Sequence, residues 1–204
     1  MRLDPYHEDA LRELINIGIG RAAATLSELM GTRIELTVPS VALYEFGDWL
    51  KRSSTELSGM AIVQDFEGSC SGRAVLVLPR DSGLRMAQIL GGVEDGSDEL
   101  DFELSGILAE VGNIMINGVL GSLANATGAQ LSYGLPEFYG EPELAFLSTP
   151  VAGAGRRGLL VADAHFYVRR FAVRGSLLIA FARGGIETLM QALCAAEPDA
   201  WEAR

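Results

Sequence analysis

Two glutamate–asparagine pairs are the residues of this 204-residue chain whose types and spacing could carry chemistry. Glu13 is followed by Asn16, and Glu110 by Asn113, each pair within a stretch of helical apolar spacing. Residues three apart lie on one side of a helix, so each pair can act as a single polar site. An asparagine amide can fix a water for in-line attack on phosphorus, and a glutamate can pair with a cation on a docked protein.

Further residues accompany each pair along the chain. A proline follows each asparagine by 23 residues, as Pro39 and as Pro136. Asp9 precedes Glu13 by one helical turn and could bind substrate through its charge or cap the helix, whereas Gly106 stands at the equivalent place in the second copy. A carboxylate pair for acid–base catalysis would therefore exist in the first copy only, which disfavours that chemistry for a repeated motif.

Two long amphipathic helices are predicted to carry these pairs. Apolar residues recur at spacings of three and four from about 7 to 30 and again from 100 to 127, and Gly31 and Gly128 end the two patterns. In the first helix the apolar side lies almost opposite a polar stripe, so we expect both motif pairs to face solvent. The stripe consists of Asp9, Glu13, Asn16 and Gly20.

The order of predicted elements in the first half of the chain repeats in the second. The half-repeats cover about 7–91 and 100–196, with an acidic linker at 92–99, and the motif positions differ by 97 residues. Each half contains a long helix, a strand with the proline, a hairpin and a short helix. The predicted strands are 34–44, 57–66, 72–78, one that carries Pro136, 159–168 and 172–181, and the short helices are 82–90 and 185–195.

The small size of each half favours one joint fold. A half-repeat is too short for a comfortable core of its own, and joining the two sheets buries more apolar surface. We therefore predict an α+β fold in which residues 1–204 form a single, internally duplicated, pseudo-two-fold domain. One continuous antiparallel sheet should be covered by the two long helices.

Composition and charge exclude several classes of function. A formal net charge of −11 repels polyphosphate backbones, so nucleic acid is a poor partner. Nucleotide-binding glycine motifs and a nucleophile elbow are not found in the sequence. Cys70 and Cys194 lack metal-ligand spacing, so we expect no metal site and a reducing, cytoplasmic location. Neither a leader peptide nor insertion into a membrane is expected.

The repeated motif resembles that of the CheC/CheX/FliY phosphatases of bacterial and archaeal chemotaxis. The family pattern is Asp or Ser, then Glu one turn later, then Asn, and then a distant proline. The second copy in this chain matches at Glu110, Asn113 and Pro136, but Gly106 replaces the first residue. The first copy matches completely, at Asp9, Glu13, Asn16 and Pro39. The resemblance spans nearly the whole chain. In having two copies of the motif, the chain is similar to CheC rather than to CheX, which typically keeps one.

The resemblance implies a hydrolase that removes the aspartyl phosphate from a CheY-type response regulator in chemotaxis or two-component signalling. Asn16 and Asn113 would then position the attacking water, and Glu13 and Glu110 would pair with the regulator's conserved lysine. The chain itself would bind no cofactor, because the Mg²⁺ belongs to the regulator.

Two other interpretations of the motif remain. The Glu and Asn side chains could simply solvate the outer faces of the helices, although their repetition disfavours this. Alternatively, the chain could be a non-catalytic binding or adaptor protein, because the middle domain of FliM looks similar in fold and lacks the pairs. CheC proteins can also bind the receptor deamidase CheD, which makes CheD a further candidate partner.

Overall fold

The computed structural model describes residues 5–44, 48, 59–92, 102–140, 159–182, 188 and 191. Within these ranges the longer helices are α1 (Pro5–Met30), α2 (Arg80–Gly91) and α3 (Phe102–Thr127). The strands are β1 (Glu35–Tyr44), β2 (Met60–Gly68), β3 (Gly72–Leu78), β4 (Leu131–Tyr133), β5 (Glu137–Tyr139), β6 (Leu159–Val168) and β7 (Val173–Phe181). A single 3₁₀ turn, Arg169–Phe171, joins β6 to β7.

The strands form one antiparallel sheet, as predicted. Its order is β1-β6-β7-β3-β2-β4, and β5 also pairs with β2, beside β4. Every strand pair is antiparallel. The α+β class and the continuous antiparallel sheet are therefore confirmed for the described part of the chain.

The first strand of each half pairs with the hairpin of the other half. β1 lies beside β6, while β4 and β5 lie beside β2. The strand order reads the same from both edges when β1, β2 and β3 are exchanged for β4/β5, β6 and β7. This arrangement is what a pseudo-two-fold duplication would produce, and the duplication itself stays a prediction.

Both motif prolines lie where an edge strand departs from regular pairing. The register of β1 with β6 shifts between Thr37 and Ser40, on either side of Pro39. The strand predicted around Pro136 is divided into β4 and β5, with the proline in the gap between them. Proline has no N–H to donate to a ladder, so a break in pairing is expected at each position.

The two long helices end where the sequence predicted. Gly31 follows α1 with φ of +60°, and Gly128 follows α3 with φ of +67°. Glycine adopts this left-handed conformation without the steric cost that other residues incur. The predicted closing helix 185–195 and the linker 92–99 beyond Gly92 lie outside the described residues, apart from the helical positions 188 and 191.

Helices α1 and α3 pack closely at small residues. A Cβ at Gly18 would lie 2.7 Å from the Val119 Cα, and a Cβ at Gly118 would lie 2.8 Å from the Ala22 Cβ. Glycine at these two places lets the helix backbones approach one another. This contact fixes the relative position of the two helices that carry the motif pairs.

The apolar character of α3 is explained by its packing. By length and composition alone α3 could cross a membrane, but half of its most apolar window is buried inside the fold. Its buried residues include Leu108, Met115 and Leu120, which belong to the same core cluster as α1 and the sheet. It is therefore the central core helix of the described structure.

Cys70 is buried in this core with 4% of its surface exposed, and burial raises the pKa of its thiol from 9.0 to about 11. Thiolate is the reactive form, and below pH 9 a rise of two pKa units lowers its fraction about 100-fold. In a Cys194→Ser variant at pH 8, we expect a thiol reagent to modify the native chain at least ~100-fold more slowly than the urea-unfolded chain. Equal rates in a spectrophotometric thiol assay would contradict this prediction.

Candidate active site

Helix α1 presents the first motif on its outer surface. Asp9, Glu13, Asn16 and Gly20 are all exposed, one turn apart along the helix. The opposite side of the helix supplies the core residues Leu11, Leu14, Ile15, Ile19 and Leu26. The predicted polar stripe of the first copy is therefore confirmed as a solvent-facing surface.

Asp9 cannot cap α1, because the helix begins at Pro5 and Asp9 lies in its second turn. Its carboxylate is instead 3.9 Å from one guanidinium nitrogen of Arg12. The other terminal nitrogen of Arg12 donates a 2.9 Å hydrogen bond to Glu8. The Asp9 side chain is 86% exposed, so this ion pair contributes little to stability. Asp9 is thus left as a surface charge one turn before Glu13.

The second motif differs from the first in how its asparagine is placed. Glu110 is exposed, but Asn113 is half-buried, where the sequence predicted full exposure. Its amide oxygen accepts a 2.6 Å hydrogen bond from Asn117 Nδ2 and a 3.4 Å hydrogen bond from Gln64 Nε2. The first partner lies one turn further along α3, and the second comes from the neighbouring strand β2.

Gln64 connects the second motif to its proline. Its side chain is 1% exposed, and Nε2 donates a 2.9 Å hydrogen bond to the Gly134 carbonyl. Gly134 lies two residues before Pro136, and its backbone N–H donates a 2.8 Å hydrogen bond to the Asp65 carbonyl. The break in the edge strand at the proline therefore lies directly beside Asn113.

Gln64 does not belong to the motif in the sequence, because its contact with Asn113 spans 49 residues of chain. A signal was present, since Gln64 follows the apolar run Met60-Ala-Ile-Val in a strand whose inner residues are buried. Buried polar side chains nearly always have hydrogen-bond partners, so an amide in such a strand indicates a polar neighbour in the fold.

An ion pair fixes the strands beneath this site. Arg73 on β3 bonds to Asp65 on β2 through two guanidinium nitrogens, at 2.6 and 2.8 Å. The hydrogen bond that Arg73 donates to Asp65 raises the pKa of the Arg73 guanidinium, and only 5% of Arg73 is exposed. A two-point pair of this kind holds the β2–β3 register, and with it the position of Gln64.

In the ranges that the structure describes, no three His, Cys, Asp or Glu side chains come together in a way that could hold a metal ion. Each motif presents an exposed carboxylate and a carboxamide on one helix face.

A model of the CheC-like family matches residues 7–43, a segment that contains the complete first motif and Pro39. The CheY-P phosphatase CheC of Bacillus subtilis (strain 168) is 28% identical to this chain over 133 residues. The resemblance to the CheC-like family is confirmed. The match covers 63% of this chain and 64% of the relative, so it spans less than two thirds of the relative's length.

The CheC-like resemblance extends to the fold of solved structures. FliY of Thermotoga maritima matches with a TM-score of 0.76 and 21% identity, covering 97% of this chain and 100% of that chain. A chain of the CheX–CheY–BeF₃–Mg²⁺ complex of Borrelia burgdorferi matches with a TM-score of 0.60 and 20% identity, covering 83% and 97%. Both likenesses concern the fold.

The same fold also occurs in the middle domain of FliM. The FliM middle domain of H. pylori matches this chain with a TM-score of 0.68 and 15% identity, covering 93% of this chain and 99% of that domain. Since FliY, a chain of the CheX–CheY complex and the FliM middle domain share the architecture, the fold does not choose between catalysis and binding. The side chains on the helix faces must decide between them.

Proposed function

We propose that this chain is a cytoplasmic phosphatase that hydrolyses the aspartyl phosphate of a CheY-type response regulator in chemotaxis or two-component signalling. The observation that carries the proposal is the exposed Glu13 and Asn16 pair on the outer face of α1, within the segment that matches the CheC-like family. A helix face of this kind can enter the active-site mouth of a docked protein. The relatives that act on or bind CheY support the choice of partner.

In the proposed mechanism Asn16 orients a water in line with the phosphorus–oxygen bond of the aspartyl phosphate. The water oxygen forms a bond to phosphorus while the bond to the aspartyl oxygen breaks, which gives inorganic phosphate and a free carboxylate. Glu13 pairs with a lysine of the regulator and fixes the docked orientation. Positioning of this kind can supply much of the acceleration in phosphoryl transfer.

The chain needs no metal of its own in this proposal. A Mg²⁺ carried by the regulator would neutralise charge on the phosphoryl oxygens. Asp9 adds a negative charge one turn before Glu13 and would attract cationic groups of the regulator. CheD is a further candidate partner.

The second motif fits the same proposal as a second site. The exchange of first strands between the halves supports an internal duplication with a pseudo-two-fold axis, which would relate α1 to α3. Glu110 and Asn113 would then repeat the roles of Glu13 and Asn16.

The alternative is a non-catalytic adaptor. The similarity of the FliM middle domain favours it, because FliM also occurs in solved complexes with SpeE and with FliG. The two functions make different demands on the helix faces. An adaptor needs the exposed surface of α1 but has no use for an amide at position 16.

The decisive experiment is release of phosphate from a phosphorylated CheY-type regulator with and without this protein. We expect catalytic amounts of the chain to accelerate release, and Asn125→Ala, an exposed asparagine on α3 outside both motifs, to leave the rate unchanged. Binding of the phosphorylated regulator without any acceleration would support the adaptor instead.

The two sites are expected to contribute unequally. Gly106 stands where the first copy has Asp9, so the second site lacks that charge; the position is exposed, and a Cβ there would meet no atom within 4 Å. Asn16→Ala should therefore lower the turnover number more than Asn113→Ala. Gly106→Asp should raise the activity that remains in the Asn16→Ala background. A larger loss for Asn113→Ala in the same phosphate-release assay would contradict this order.

A further inference from the structure

The amide of Asn113 is tied into the protein, whereas within the described part of the chain the exposed Asn16 side chain makes no hydrogen bond. We propose that Asn117 and Gln64 are positioning residues that turn the Asn113 oxygen inward, which makes the second site the slower site for hydrolysis and leaves it a docking surface for the phosphoryl group. The proposal rests on the phosphatase function proposed above and concerns how that function is divided between the sites.

The number of acceptor positions on an amide oxygen carries the argument. A carboxamide oxygen has two lone pairs, and Asn117 and Gln64 each donate to one of them. The group that Asn113 can turn toward a partner is then its NH₂ donor. A water that attacks phosphorus must keep a lone pair for the new bond, so it is best held by an acceptor of its hydrogens. Asn16 can offer that acceptor freely.

At the first site, the residues equivalent to Asn117 and Gln64 have no amide side chain. Gly20 stands 97 residues before Asn117, one turn beyond Asn16. Gln64 lies opposite Ala74 in the β2–β3 ladder, and Ala164 lies opposite Leu177 in the β6–β7 ladder. Ala74 and Leu177 are equivalent, because each is two residues after the matching glycines Gly72 and Gly175. The first site therefore has glycine and alanine where the second has two amide donors.

Two buried amide oxygens lie in the cluster formed by Gln64, Asn113 and Asn117. Gln64 Oε1 and Asn117 Oδ1 are buried and have no hydrogen-bond partner among the described residues. A buried acceptor without a partner is unfavourable, and such atoms in a folded protein call for an explanation. Both side chains use their NH₂ groups to hold Asn113 and leave their oxygens unsatisfied. Both side chains thus direct their NH₂ groups, and not their oxygens, at Asn113.

Removal of Asn117 provides the direct test. In the Asn16→Ala background, where the second site acts alone, Asn117→Ala frees one acceptor position on Asn113. We expect the turnover number to rise about tenfold, the effect of one hydrogen bond on a rate. Asn125→Ala is the matched control on the same helix and should change nothing. An unchanged or lower turnover in Asn16→Ala/Asn117→Ala would overturn the proposal, since a merely structural residue does not raise the rate when it is removed.

The reciprocal change tests the first site. A Cβ at Gly20 would meet no atom within 4 Å and the position is exposed, so Gly20→Asn is expected to leave the fold intact. In the Asn113→Ala background we expect Gly20→Asn to lower the turnover number several-fold, because the new amide can donate to Asn16. Gly20→Ala serves as the control for the loss of glycine and should leave the rate unchanged. Equal rates for the two variants would count against the proposal.

A measurement independent of activity separates this proposal from the phosphatase function. Side-chain amide relaxation by NMR reports motion on the picosecond to nanosecond timescale. We expect the Asn113 amide to be rigid and the Asn16 amide mobile in the unmodified protein, and Asn117→Ala to loosen Asn113. Failure of the protein to release phosphate, with this pattern intact, would remove the phosphatase function alone. Equal mobility of the two amides would remove the proposal about positioning.

Discussion

Replacing Asn16 and Asn113 together by alanine is expected to return phosphate release from the regulator to its unassisted rate. Each substitution removes the amide that orients the attacking water, and the alanine that remains offers neither a donor nor an acceptor. Loss of a positioned group in phosphoryl transfer lowers the rate by about 100-fold or more. The measurement is phosphate release at saturating amounts of the variant, beside Asn125→Ala as control.

The same double variant should remain folded. Asn16 is exposed, so its replacement should change the free energy of unfolding by less than about 0.5 kcal/mol. Asn113 accepts two hydrogen bonds, and its loss is expected to cost about 1 kcal/mol. Thermal unfolding followed by circular dichroism checks both values. Full activity in the double variant would refute the mechanism, and gross unfolding would indicate that the asparagines serve the fold.

Of the two glycine-to-alanine substitutions in α1, at Gly18 and at Gly20, Gly18→Ala is expected to give the loss of stability. The new Cβ would lie 2.7 Å from the Val119 Cα and 3.1 Å from the Ser122 Cβ, so the two helices must move apart. Overpacking of this kind costs about 1–3 kcal/mol in the free energy of unfolding. The displacement also moves α1 relative to α3, so we expect the activity of both sites to fall.

Gly20→Ala is the matched control for this prediction. It lies two residues further along the same helix, and its Cβ would meet no atom within 4 Å. An exposed glycine replaced by alanine inside a helix should stabilise by up to about 1 kcal/mol. Urea unfolding of the two variants should therefore show opposite signs. Similar stability for both would mean that close approach of the helices at Gly18 is unimportant.

The helices and their solvent-facing stripe could be predicted from the sequence, because they depend on local periodicity. The spacing of Leu11, Leu14 and Ile15 specifies which side of α1 is buried, and this places Glu13 and Asn16 on the other side. Gly31 ends the helix because glycine adopts the left-handed backbone conformation without steric cost. The hairpins were predictable for the same reason, since β2 and β3 are neighbours in the chain.

The pairing of the edge strands was decided by tertiary structure alone. Residues of β1 lie opposite residues of β6 that are more than 100 positions away, and nothing local to β1 specifies that partner. The exchange of first strands between the halves follows from closing one shared sheet over one core, which is a property of the whole chain.

The difference between the two asparagines was decided in the same way. Read along the sequence, Glu13 with Asn16 and Glu110 with Asn113 are the same motif at the same spacing. Only the fold brings Gln64 from a strand beneath α3 to Asn113, because hydrogen bonding between side chains depends on distances in space rather than in sequence. The sequence therefore determined where the two amides stand on their helices, and the tertiary contacts determined which of them is held.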